Sequence, residues 1–317
     1  LADGELSGDS NVRADPITSK SRGLALAGSP AIGSRSPEIG DGATSGMYSS
    51  AMLLTRFVSF VSGTARGKRL LWRGWYQFLA ARYRDPRWTF MNYGYRSPEV
   101  PAPPLDPADE PDRSYIQLYE VVARGAPLAG RDLLEVGCGR GGGAAYVARA
   151  LGPRRVVAVD LSPRAIALCR GRFRQPNLSF EVGDAEQLPF ADGAFDAVLN
   201  VESSHCYGRF DLFLREVRRV LRPGGHFLYA DFRAQDEVAG WRAALTAAGF
   251  AIAAERDLRP GVVAALDADD ASKRVLIESL VDRPLLGIFR EFAALHGSTL
   301  NGALRRGDFD YRAFALT

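Results

Sequence analysis

The run Leu133-Leu134-Glu135-Val136-Gly137-Cys138-Gly139-Arg140-Gly141-Gly142-Gly143 places an apolar stretch and an acid directly before a glycine-rich turn. Such a stretch reads as a buried parallel strand, and glycines let backbone come close to a ligand at the strand's carboxyl end. Gly137, Gly139 and Gly142 fit the G-x-G-x-x-G dinucleotide fingerprint, and Asp160 lies 18 residues past Gly142, near where a ribose-binding acid belongs. Glu135 separates two cofactor chemistries. A carboxylate two residues before the first glycine sits badly beside a pyrophosphate. It sits well beside a cation such as S-adenosylmethionine (SAM), which carries sulfonium and ammonium groups.

Further acids recur in order along the chain. Val156 to Asp160 is a second apolar run ending in an acid that suits two ribose hydroxyls, with Leu161 beside it. Asp184 and Ala185 follow a third run, where Asp184 is placed to accept from an adenine amino group. Phe195 to Glu202 is a fourth run, carrying Asn200, Val201 and Glu202 to the same edge. Leu221-Arg222-Pro223-Gly224-Gly225 turns into a fifth. Any one acid alone reads as a helix N-cap or a solvated strand end. Taken together, each at a strand's carboxyl end, they mark the edge where open α/β sheets bind ligands. Just past the fourth strand, His205 has the ordinary pKa of about 6.5 that suits a general base near neutrality. Asp231, past the fifth, either orients His205 or the acceptor, or caps the next helix. His226 and His296 read as structural. A bulky side chain at Gly139 or Gly141 is expected to fill the ligand's space.

These residues require strand–helix alternation, the pattern of an α/β sheet. Strands are expected near 132–137, 155–160, 178–182, 195–201, 225–231, 250–257 and 309–316. Helices are expected at 113–124, 209–222 and 237–248, the second stopped by Pro223-Gly224-Gly225. The span 261–306 is too long for a loop and carries an amphipathic pattern, so it reads as a helical insertion before the last strand. Residues 52–83 are apolar and basic, reading as one or two helices that pack or act as a lid, with weak membrane-surface contact as a lesser option. The chain therefore divides into a disordered extension at 1–46, a helical lid segment at 47–112 and a catalytic domain at 113–317.

Composition excludes several classes. A formal net charge of +3 with no dense Lys/Arg run argues against nucleic acid. Three cysteines without a C-x-x-C pair indicate neither a disulfide framework nor a zinc site, and point to a reducing cytoplasm. No clustered carboxylates call for a metal, and no apolar run is long enough for a membrane span. Nothing in the sequence fixes an oligomeric state.

From about 113 to 232 the chain resembles the class I SAM-dependent methyltransferases: the acid–glycine motif, the ribose acid, D-A-x-x-L-P-F at 184–190 and the L-R-P-G-G turn are all present. The resemblance implies a Rossmann-like sheet of seven strands, mostly parallel with an antiparallel last strand. The N-terminal helices and the insertion would roof the acceptor pocket. Phe90 to Tyr95 resembles the segment that closes over the cofactor in small-molecule and lipid methyltransferases, which implies a cofactor contact at Tyr95. Val201 to Tyr207 resembles the mycobacterial phthiotriol/phenolphthiotriol dimycocerosate methyltransferases, and more loosely sugar and polyketide O-methyltransferases, where a histidine stands at this place. Those mycobacterial enzymes tend to have Ser where this chain has Gly137. The implied activity is O-methylation of a hydroxyl on a polyketide-derived lipid or related natural product, with His205 as base. C- or N-methylation of a quinone, sterol or amine is the nearest alternative. A NAD-dependent oxidoreductase and a non-catalytic SAM-binding protein stand further off.

Overall fold

The computed structural model describes residues 64–317, which form one compact unit. The expected extension at 1–46, and residues 47–63 of the expected lid segment, lie outside the described residues. Helix α1 (Ala65–Arg82) opens the unit, capped by the Thr64 side chain accepting from the Gly67 amide at 3.0 Å. After an irregular proline-rich stretch comes α2 (Arg113–Ala123), then the alternating core: β1 (Asp132–Val136), α3 (Gly142–Ala150), β2 (Arg155–Asp160), α4 (Pro163–Arg172), β3 (Leu178–Val182), β4 (Phe195–Val201), α5 (Phe210–Val220) and β5 (Leu221–Ala234). The chain continues through α6 (Val238–Ala247), β6 (Ile252–Asp257), α7 (Arg259–Leu280), α8 (Leu286–Phe292), α9 (Thr299–Arg306) and β7 (Phe309–Leu316).

The seven strands form one sheet in the order β3-β2-β1-β4-β5-β7-β6. The first five are parallel, and β7 runs antiparallel to both β5 and β6. This is the expected architecture, with α7, α8 and α9 inserted before the last strand. Order reverses between β1 and β4, so their carboxyl ends open a crevice there. β1 is buried at all five positions because helices cover both faces, which is why Leu133, Leu134 and Val136 do not alternate with solvent-facing residues, and its two acids, Asp132 and Glu135, are held by Arg154 and Tyr119.

Hydrophobic residues pack on both faces. One face holds Ile116, Leu118 and Tyr119 of α2 with Val147 of α3. The other holds Phe213, Leu214, Val217 and Val220 of α5, spaced to share one helix side, with Trp241 and Leu245 of α6. A third cluster joins Leu79 of α1 and Tyr83 to Val281 and Phe289 of the insertion.

The limits of β5 differ from expectation: the strand runs on to Ala234, so Asp231 lies within it and not past it. Helix α5 stops at Val220, and Leu221-Arg222-Pro223-Gly224-Gly225 belongs to β5. Leu221 pairs with Phe195 and His226 with Ala197, so the proline–glycine residues bulge out of the ladder while the strand keeps its line. Gly224 sits at φ +74°, a backbone shape that favours glycine.

Candidate active site

The ends of β1, β2 and β4 bound a deep cleft of about 970 Å³, part of it open to solvent, and α1 covers it. Its floor is the loop after β1. Gly137 adopts φ +78°, and a Cβ there would lie 2.4 Å from Ser203 Oγ and 2.7 Å from the Tyr207 hydroxyl. In this chain the missing side chain lets the loop pass under the β4 end. Gly139 also lines the cleft, and its amide donates to Asp160 Oδ2 at 3.0 Å. Asp160 Oδ1 accepts from the Ser162 amide at 2.9 Å, so this acid ties the two loops together while facing the cavity. Burial pushes its carboxyl up to about 6, against the pull of those two amides.

Leu161, Asp184, Ala185, Val201 and Glu202 line the same cleft, as the sequence reading expects of them. Asp184 Oδ1 accepts from the Glu186 amide at 3.0 Å. Its other oxygen pairs with the Arg69 guanidinium of α1. Glu202 holds φ +50°, and burial pushes its carboxyl up to about 7.

Four expected cofactor residues are not part of the cleft wall. Glu135 is sealed behind the glycine loop, where Oε1 accepts from the Tyr119 hydroxyl at 2.7 Å and Oε2 is buried without a partner. Burial pushes it up to about 7. The Asn200 Nδ2, with two hydrogens to share among them, lies 2.9 Å from Val136 O, 2.8 Å from Ser203 Oγ and 3.0 Å from Tyr207 Oη, bracing the loop from behind. Tyr95 packs against Gly261 of α7, and its amide donates to Ser114 O at 2.8 Å. Gly141 makes room for protein: a Cβ there would lie 2.9 Å from Cys169 Sγ and from the Phe180 ring. That corrects the expectation that a side chain at Gly141 would occupy ligand space.

His205 and Asp231 meet as a pair. Asp231 Oδ1 lies 2.9 Å from His205 Nδ1, and its Oδ2 accepts from the His205 amide at 2.9 Å. Arg233 lies 3.3 Å from Asp231. Burial favours neutral imidazole, yet Cys206 and Asp231 outweigh it and push His205 up to about 10. Burial likewise opposes the Asp231 charge, but His205 and Arg233 hold this carboxyl well below the usual range. The imidazole packs on Phe232 at 4.5 Å between centroids and meets Trp72 edge-on at 6.0 Å, beside the wall and not in it.

The sequence reading missed the residues that α1 lends to the site. Arg69, Trp72, Arg73 and Tyr76 line the cleft, and Tyr76 Oη lies 3.5 Å from Cys206 Sγ. Their spacing of three and four is the one-face signature of a helix, so the signal was present in the sequence. The insertion supplies no residue to this wall; it packs behind α1 and the 92–96 segment. Among the described residues no group of His, Cys, Asp and Glu is placed to hold a metal, and no helix is long and apolar enough to cross a membrane.

The residues present fit SAM. Asp160, Asp184 and Glu202 supply acceptors along the cavity, and Glu135 keeps an unpartnered buried oxygen behind the loop.

Residues 134–229 match the family model described as a methyltransferase domain. A probable phthiotriol/phenolphthiotriol dimycocerosates methyltransferase 2 of Mycobacterium ulcerans is 44% identical over 225 residues, covering 70% of this chain and 87% of that protein. The chain belongs to the class I SAM-dependent methyltransferases. A fatty-acid O-methyltransferase of Mycolicibacterium smegmatis is 41% identical over 244 residues, covering 76% of this chain and 87% of its own. Among solved structures, a geranyl diphosphate C-methyltransferase of Streptomyces coelicolor superposes with TM-score 0.54 at 22% identity over 76% of this chain and 97% of that one, a likeness of fold. SAM is accordingly the cofactor of this methyltransferase.

Proposed function

We propose that this methyltransferase transfers the methyl group of SAM to a hydroxyl oxygen of a polyketide-derived lipid or similar natural product. The observation that carries the reading is the chemistry at the end of β4, where Glu202 on the cleft wall adjoins the His205–Asp231 pair. An alcohol is a poor nucleophile until its proton is removed, so a hydroxyl acceptor needs such groups. One of them can take that proton: Glu202 lines the cleft, while His205, pushed up to about 10 beside Asp231, already carries one. The names of the relatives in Mycobacterium ulcerans and Mycolicibacterium smegmatis, both for lipid substrates, support the acceptor class.

SAM, when bound, supplies an electrophilic methyl. Asp160 is proposed to hold ribose hydroxyls and Asp184 the adenine amino group, while Gly137 and Gly139 keep the floor low. Trp72 and Tyr76 of α1 cover the cavity and exclude water, which favours displacement at a charged centre. Exposed Leu70 and Phe78 on α1 stand near Arg66 and Arg73, which fits a weak contact with an anionic lipid surface as the acceptor is collected. The three cysteines are all free, in keeping with work in the cytoplasm.

The test is methyl-labelled SAM with the purified protein and a panel of long-chain secondary alcohols, hydroxylated polyketide lipids, a fatty acid, a quinol and an amine. Label is expected on an alcohol oxygen, undiminished by chelator. Label confined to carbon, nitrogen or the fatty-acid carboxylate would refute the proposal.

A further inference from the structure

We propose that Glu202 is the catalytic group that takes the proton from the acceptor hydroxyl, with Tyr93, Tyr311 and Lys273 as the positioning residues that aim it. The inference rests on reading the protein as a hydroxyl methyltransferase and names the base within that reading.

Glu202 is the first residue past β4, and its φ of +50° lies in a region a glutamate rarely adopts. Such a backbone persists where the surroundings fix it. Here three contacts do so. The Glu202 amide donates to Ala230 O at 2.8 Å, and Oε2 accepts both the Tyr93 amide at 3.0 Å and the Tyr311 hydroxyl at 2.8 Å. The carbonyl of Tyr93 accepts in turn from Lys273 Nζ at 3.3 Å, a buried ammonium reaching out of α7. Oε1 makes no hydrogen bond among the described residues, and Glu202 is part of the cleft wall. One oxygen is doubly anchored and the other is open. That arrangement suits receipt of a proton from a fixed direction.

The titratable and charged groups around Glu202 are Lys273 from α7, Tyr119 from α2, Tyr93, His205 from the turn after β4, Asp231 of β5 and Tyr311 of β7. Burial is the largest influence and raises the carboxyl, the hydrogen bonds from Tyr93 and Tyr311 and the charge of His205 lower it, and Asp231 raises it again, leaving it at about 7. A carboxyl tuned there is ionised often enough, and basic enough, to work near neutrality. His205 is placed differently. It stands off the wall between Asp231 and Cys206 and retains its proton, acting as a cation that favours the ionised form of Glu202.

In the step assigned to Glu202 the acceptor O–H bond breaks and its proton moves to Oε1. The oxygen's electron pair forms the new O–CH3 bond. The methyl–sulfur bond of SAM breaks, and its electron pair stays on sulfur as a neutral thioether.

Glu202→Gln keeps the shape and the oxygen that Tyr93 and Tyr311 hold, but cannot receive the proton. Turnover of octadecan-2-ol, SAM affinity by calorimetry and the pH profile of kcat are measured for wild type, Glu202→Gln and Tyr311→Phe, with circular dichroism to verify folding. Glu202→Gln is expected to lower kcat by about 10²-fold or more, to leave the SAM Kd within about threefold and to lose the inflection near pH 7. Tyr311→Phe, which removes one hydrogen bond from the carboxylate, is expected to stay active with its inflection moved to higher pH. A Glu202→Gln enzyme with kcat within about fivefold of wild type overturns the proposal. So does one whose only defect is SAM affinity, since Glu202 is then a cofactor anchor. Wild-type protein that leaves the alcohol untouched defeats the hydroxyl reading itself, and that control tells the two failures apart.

Discussion

Replacing Gly143 by alanine should destabilise this protein far beyond an ordinary helix substitution. Gly143 lies in the first turn of α3, and a Cβ there would sit 1.9 Å from Tyr119 Cζ and 2.3 Å from its hydroxyl oxygen. Ordinary contact begins at 3.4 Å, so the phenol must swing away from the helix. That ring is buried, and its hydroxyl is the hydrogen-bond partner of one Glu135 oxygen, the other having none among the described residues. Overpacking costs about 1–3 kcal/mol. Stranding a buried carboxyl without its donor costs about 1–3 kcal/mol more. Together they amount to about 2–6 kcal/mol, which for a domain of this size lowers Tm by roughly 4–24 °C. Differential scanning calorimetry reads the shift. In the Gly143→Ala/Tyr119→Ala double variant the new methyl enters the space the phenol leaves, so the double should be more stable than the two single losses predict, by about 1 kcal/mol or more. A fall in Tm below about 2 °C for Gly143→Ala, or strict additivity in the double variant, would refute the reasoning.

Two further outcomes are expected. Asp160→Ala should weaken SAM binding roughly ten- to a hundredfold by calorimetry, from about 1–3 kcal/mol of unpaired ribose hydroxyls, and near-normal affinity would place the ribose elsewhere. The His205–Asp231 pair should stabilise the fold over a defined pH window. His205 is raised from 6.5 to about 10, so its contribution is complete below about 6.5 and disappears as pH climbs through about 10. Asp231 is lowered from 3.8, so its contribution holds above that value and is lost in acid. Urea unfolding of wild type and His205→Gln should therefore differ most, by a few kcal/mol, near pH 5–6 and converge toward pH 10; a gap that widens with pH contradicts the pairing.

Much of the site was legible because parallel strands advertise themselves. Runs such as Val156 to Asp160 are apolar throughout since both faces are buried, and an acid ending each run lands at the ligand edge whatever the details elsewhere. What stayed hidden depends on long-range approach. Nothing local distinguishes Asp160, which faces the cavity, from Glu135, which turns into the core to meet Tyr119. Asn200 is spent bracing Val136, 64 residues away, and Tyr95 is drawn onto Gly261 of the insertion. The positive φ of Glu202 has no sequence signal, because glutamate does not mark that conformation. His205 was found by type and place, and of the readings offered for Asp231 the fold selects the one in which it holds His205.

With Asp184 holding the adenine amino group as proposed, its pairing with Arg69 would make α1 a tethered competitor for the cofactor. SAM would then have to displace that guanidinium, and its apparent affinity would be the intrinsic value scaled by the fraction of time Asp184 is vacant. The same helix carries Trp72 against His205 and Tyr76 against Cys206. An acceptor that lifts those aromatic side chains also withdraws Arg69, and by reciprocity SAM eases the entry of the acceptor. On the proposed placement the two substrates would be coupled through one helix, with no need of a second subunit.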